Sequence, residues 1–294
     1  MYQNAEPSIL HATISVMNKH PERYIIQGSG CETILDMITE SNNCEFMSVG
    51  VQQVVQTAMD THRQCAWIQE VGCMTFMNLY YRVDVDAQNI VESEKNTCAV
   101  MNAMREFPTN ERIQLYACGA MVNMLCNQNT LADKAVEKGG VELLLACMCR
   151  FKNHDHTQLQ EWACGSLRNI AYVSREHKNV IVESNGIHII MTSMYWCQSE
   201  TLSRHGCALL MLISLNDNVC ISTMYVRCVM DAMIKFPNNL DIQRFGCYTL
   251  NNISKNNPME LYDLKEIKRI VACAKEVCSE NKAVQRVSKN ILAL

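Results

Sequence analysis

Six segments of this 294-residue chain follow one template, and that self-similarity restricts the possible folds more than any other feature. They read QGSGCETILDMI from Gln27, QEVGCMTFMNLY from Gln69, QLYACGAMVNML from Gln114, QEWACGSLRNIA from Gln160, SRHGCALLMLIS from Ser203 and QRFGCYTLNNIS from Gln243. Each has a polar anchor, two variable residues, a small residue and a cysteine, then an apolar residue and, in most copies, Asn. Cys31, Cys73, Cys118, Cys164, Cys207 and Cys247 mark the copies at intervals of 40 to 46 residues. A degenerate seventh copy, QRVSKNILAL, starts at Gln285 with Lys289 in the cysteine slot. A chain repeating at this period buries its apolar surface by stacking units, each against its neighbours.

Within a unit, apolar residues recur every three to four positions, as at Ala163, Leu167 and Ile170, so the template segment is a helix with one buried stripe. A second helix lies upstream, in GGVELLLACMC, NGIHIIMTSMYW and VRCVMDAMIKF; Gly-Gly or Asn-Gly ends whatever precedes it. Shorter helical segments, NTLADKAVEK and REHKNVIVES, come before that. Met17, Met59, Met104, Met148, Met194 and Met233 recur ahead of the loop to the template helix, and Pro21, Pro108 and Pro237 stop the second helix in three units. No period-two strand pattern is sustained.

Three helices in about 42 residues match the armadillo period. The stretch from Asn129 to Tyr172, with its Gly-Gly turn and Leu-x-Asn-Ile ending, resembles an armadillo repeat. HEAT repeats, with two helices, are the alternative fold. The resemblance implies an all-α chain: a right-handed α-solenoid superhelix of six to seven three-helix repeats in a single domain over 1–294. Its units run roughly 1–38, 39–81, 82–126, 127–173, 174–215, 216–254 and 255–294. Neither end reads as a polar cap, which suggests a piece of a longer protein or an unusual terminus; self-association through the apolar ends is a further reading.

Armadillo proteins bind partners along the concave surface of the third helices, where an Asn near the helix end bonds the main chain of an extended peptide. The resemblance carries that role to Asn78, Asn123, Asn169 and Asn252; Asp36 and Leu212 interrupt the ladder. Helix geometry adds a second row. Seven residues before the Asn slot, on the same face, stand Val71, Tyr116, Trp162, His205 and Phe245. Rings there would be rigid anchors for a partner. Three residues beyond the Asn come Tyr81, Cys126, Tyr172 and Lys255. Both rows have a plainer reading, in which the amides hold neighbouring helices together and the rings pack as core. Nuclear-import receptors of the family carry Trp four residues before the Asn; here that slot holds Met74, Gly119, Gly165, Ala208 and Tyr248, so basic cargo is not expected. Gly119 and Gly165 would instead leave room for a bulky partner side chain.

Composition narrows the chemistry. Twenty-six Lys and Arg against 30 Asp and Glu leave a net charge of −4, without the basic excess of a phosphate-driven nucleic-acid binder. Apolar runs such as Cys207 to Ile213 are far short of a bilayer span, and the N-terminus lacks a secretory signal pattern, so an intracellular protein, cytoplasmic or nuclear, is expected. The 17 cysteines include no C-x-x-C pair and read as small packing residues, not as disulfides or metal ligands. His154, Asp155 and His156 sit in a polar insertion, and Gly28-Ser29-Gly30 is a lone G-x-G. No catalytic residue, metal or cofactor is expected. The reading is a non-enzymatic scaffold for a protein or peptide partner, with no nucleic acid and no membrane insertion; the alternative is a regulatory or autoinhibitory segment of a larger enzyme.

Overall fold

The computed structural model describes residues 6–39, 41–83, 90–215, 222–256 and 263–294. Every regular element among them is helical. The chain divides into two compact bodies, Met1–Phe151 and Lys152–Leu294.

The first body contains α1 (Glu6–Lys19), α2 (Tyr24–Met37), α3 (Asn43–Ser48), α4 (Val51–Thr61), α5 (Ala66–Leu79), α6 (Ile90–Glu106), α7 (Glu111–Met124), α8 (Asn129–Glu137) and α9 (Gly140–Arg150). Template helices α2, α5 and α7 pack in succession, as do second helices α1, α4, α6 and α9. The second body opens with a short 3-10 turn, His154–His156. It continues through α10 (Thr157–Val173), α11 (Arg175–Glu183), α12 (Gly186–Cys197), α13 (Glu200–Ile213), α14 (Thr223–Lys235), α15 (Leu240–Asn256), α16 (Leu264–Val277) and α17 (Lys282–Leu292). Here α10, α13, α15 and α17 form the template row, and α12, α14 and α16 the second row. Among the described residues, short first helices are α3, α8 and α11. Segments 84–89, 216–221 and 257–262, ahead of α6, α14 and α16, lie outside the described residues.

The turn into the second helix needs a left-handed residue: Gly50 (φ 87°), Gly139 (φ 78°) and Asn185 (φ 61°). The next residue is crowded as well. A Cβ on Gly140 would come 2.8 Å from the Ala135 carbonyl oxygen, and one on Gly186 2.6 Å from that of Ile181.

The glutamine anchor couples the two long helices of a unit. Nε2 of Gln27, Gln69, Gln114, Gln243 and Gln285 donates to the carbonyl ten residues back (Met17, Met59, Met104, Met233, Lys275) at 2.7–2.9 Å. The same nitrogen donates to the carbonyl seven residues back (His20, His62, Phe107, Phe236, Cys278) at 2.9–3.1 Å. One amide thus satisfies carbonyls at a second-helix end that the helix itself leaves open. Gln160 Oε1 accepts from Ser193 Oγ at 2.8 Å.

The small slot and the recurring methionines explain one another. Met17, Met59, Met194 and Met233 lay their thioethers where a Cβ on Gly30, Gly72, Gly206 or Gly246 would be. The six marker cysteines are wholly buried. Burial pushes the thiols of Cys31, Cys164 and Cys247 up to about 12, so they pack as protonated apolar groups.

Candidate functional site: the exposed faces of the template helices

In the first body, Asn78 and Asn123 are half-buried, one on α5 and one on α7. Asn123 Nδ2 donates to the Met77 carbonyl at 2.8 Å, tying α7 to the last turn of α5. Tyr116, two turns earlier, is half-buried with the Arg112 guanidinium 5.7 Å from its ring centre; Arg112 Nε is 2.6 Å from Glu70 Oε1 on α5. Val71 is buried. Tyr81 is 40% exposed, with Arg82 over its ring at 5.2 Å, and Cys126 is exposed.

In the second body, α10 brings Trp162, Asn169 and Tyr172 to one face. The first two are half-buried and Tyr172 is 76% exposed. Asn169 Oδ1 accepts from Arg168 Nη2 at 2.7 Å and Nε at 3.3 Å. Arg168 Nη1 lies 2.9 Å from Nδ1 of His205 on α13. Because a guanidinium only donates, Nδ1 is the acceptor and the ring is neutral. Burial, aided by Arg168 and Arg204, lowers its pKa to about 3. His205 is buried and faces Arg168. On α15, Phe245 is half-buried beneath Arg244 at 4.8 Å, and Asn252 Nδ2 donates to Ser214 Oγ at 3.1 Å; Lys255 is exposed.

The Asn row is therefore not a uniform set of free amides. Asn123 and Asn252 tie a template helix to the layer before it, and Asn169 holds an arginine. Gly119 and Gly165 are both buried.

Two participants were not identified from sequence. Trp67, one turn before Val71, donates from Nε1 to Glu32 Oε1 on α2 at 2.9 Å, and its ring lies where a Cβ on Gly28 would be. The lone G-x-G was the available signal: Gly30 admits Met17 and Gly28 admits Trp67. Arg168 is the other, and nothing in a single sequence says that it meets His205.

The insertion before α10 is a short turn with His154 and Asp155 exposed, and no group of three metal-ligating side chains comes together among the described residues. No helix among the described residues is long and apolar enough to cross a membrane. The last template helix, α17, exposes Lys282, Arg286, Lys289 and Asn290.

The family described as LRRK2 ARM repeat matches residues 131–294, more than half of the chain. The chain belongs to the LRRK2 ARM repeat family. An engineered protein whose crystal structure was solved by the Northeast Structural Genomics Consortium is similar over 86% of this chain and 98% of its own, with a TM-score of 0.63 and 14% identity. That likeness concerns the fold, an all-helical α-solenoid. ARM-repeat solenoids of this kind are typically protein-interaction scaffolds and typically non-catalytic.

Proposed function

We propose that this ARM-repeat chain is a non-enzymatic scaffold that holds a partner polypeptide along the exposed faces of its template helices. The observation that carries the reading is the α10 face. Trp162, Asn169 and Tyr172 stand on it together, and Tyr172 is 76% exposed one turn beyond the amide. Rigid rings offer contact area at little conformational cost, and a neighbouring amide supplies the polar complement that a peptide backbone needs. In the first body, Tyr116, Asn123, Asn78 and Tyr81 form the corresponding set, and on α15 Phe245 and Asn252 do so. An amide whose NH2 is committed to the stack still accepts through Oδ1, so Asn123 and Asn252 serve a peptide N–H in this scheme. His205 contributes through Arg168, which it positions. The partner is a protein or peptide, with neither nucleic acid nor bilayer as ligand.

The test selects peptides from a displayed library against the full chain, then measures their affinity for Trp162→Ala/Tyr172→Ala. The expected result is a loss of about tenfold or more in affinity, with a thermal midpoint close to that of the parent. Selected peptides that bind the double variant as tightly as the parent would show that the rings are not the docking surface.

A further inference from the structure

The template helices of the two bodies carry opposite charge. On α2, α5 and α7 there are four carboxylates (Glu32, Asp36, Glu70, Glu111) and one cation, Arg112. On α10, α13, α15 and α17 there are seven cations and three carboxylates, within a chain whose total is acidic. All three of those carboxylates already have partners: Glu161 accepts from Ser199 Oγ, Glu200 from Asn239 Nδ2, and Asp241 pairs with Arg244.

The cations are also in register. Arg204, Arg244 and Arg286 occupy one slot, the position after the anchor residue, on three template helices that pack in succession. Arg204 and Arg244 are half-buried and Arg286 is exposed. Among the described residues Arg204 and Arg286 have no ion pair, and Arg244 has its one at 2.7 Å, a turn back along its own helix. Packed helices lie about 8–10 Å apart. An extended polyproline-II-like segment brings side chains back to the same side every three residues, at roughly 9 Å. The two periods match.

We propose that the template face of the second body takes an extended acidic segment of a partner protein, with carboxylates about every third residue seated on Arg204, Arg244 and Arg286. The proposal rests on the scaffold reading and names the chemistry of its ligand. Guanidinium forks suit carboxylates geometrically and set the direction of charge selectivity. A nucleic acid is the weaker candidate, because Arg244 covers the Phe245 ring that a base would need for stacking.

The experiment titrates the full chain into labelled peptides of about twelve residues, with Glu, Gln or Lys at every third position, and into single-stranded oligothymidylate. The expected result is at least about tenfold tighter binding of the Glu peptide than of its Gln twin, falling steeply with added salt. Arg204→Glu/Arg244→Glu/Arg286→Glu should abolish the preference and favour the Lys peptide while retaining the parent's circular dichroism. Equal binding of the Glu and Gln peptides, with both lost in Trp162→Ala/Tyr172→Ala, would overturn the acidic assignment and leave the scaffold reading standing. Tighter binding of the oligonucleotide than of the Glu peptide would also overturn it. No binding of any peptide, together with library peptides indifferent to the Trp162 and Tyr172 changes, would remove both.

Discussion

Arg168 on α10 donates from Nη1 to Nδ1 of His205 on α13 at 2.9 Å, and the same guanidinium grips Asn169 Oδ1. One arginine thus joins a residue of the amide row to a residue of the ring row on adjacent template helices. The arrangement requires an uncharged imidazole, since a protonated ring has no acceptor to offer.

The pH dependence follows from that. The folded-state pKa of His205, about 3, lies below its ordinary value of 6.5, so the unfolded chain binds the extra proton first. The stabilisation is complete above pH 6.5 and is lost as the pH falls through that value toward 3, by up to roughly 1.4 kcal/mol per pH unit. Urea unfolding between pH 7 and 4 should show this slope, and His205→Gln should flatten it. A His205 ring signal in NMR that titrates near pH 6.5 in the folded protein would contradict the buried, arginine-bound geometry.

Gln114→Ala should cost about 2–3 kcal/mol, because it strips partners from the Met104 and Phe107 carbonyls at the end of α6. Gln285 makes the same pair of bonds but is half-buried, so Gln285→Ala should cost about 1 kcal/mol. Chemical denaturation of the two variants side by side measures the difference. Equal losses would mean that the burial of the freed carbonyls does not matter.

Gly246→Ala forces the added methyl into the Met233 thioether and should destabilise by about 1–3 kcal/mol. Shortening the thioether arm by Met233→Ala should offset part of that, so the double variant should be more stable than the two single losses predict. Strict additivity in thermal unfolding would show that the two residues do not share the space.

The cysteines should divide by position. Cys44, Cys126, Cys149 and Cys273 are exposed and should react with a maleimide in the native protein. Cys31, Cys73, Cys118, Cys164, Cys207 and Cys247 are buried and should react only after denaturant is added. Mass spectrometry of peptides from the labelled protein reads this directly; rapid native labelling of the second group would mean that the units open far more easily than their packing implies.

The repeat was legible because stacking imposes one recurring demand on every unit. A small residue must admit a methionine, an amide must close a helix end, and a cysteine must fill the layer beneath. These demands recur in the chain as Gly72, Gln69 and Cys73, and again as Gly246, Gln243 and Cys247. The turn residues Gly139 and Asn185 were legible for a local reason, since a left-handed backbone favours few side chains.

The candidate site was only partly legible. Helix periodicity places Asn123, Asn169 and Asn252 on a common face, but it does not say what stands 38 to 46 residues away. Those distant neighbours set their bonds to Met77 and Ser214. For the same reason His205 looked like its ring-bearing counterparts Tyr116, Trp162 and Phe245, yet it is the one of the four that is buried.

The sequence by itself determined the period, the helical class and the slots through which each unit packs, because those depend on spacing along one helix and on the steric limits of single residues. The tertiary structure alone decided which amides bind the stack, which rings meet solvent, and that the helices carrying Arg204, Arg244 and Arg286 pack in succession. Burial and pairing depend on the adjacent layer, and the identity of that layer's side chains at a given point emerges only when the helices are packed.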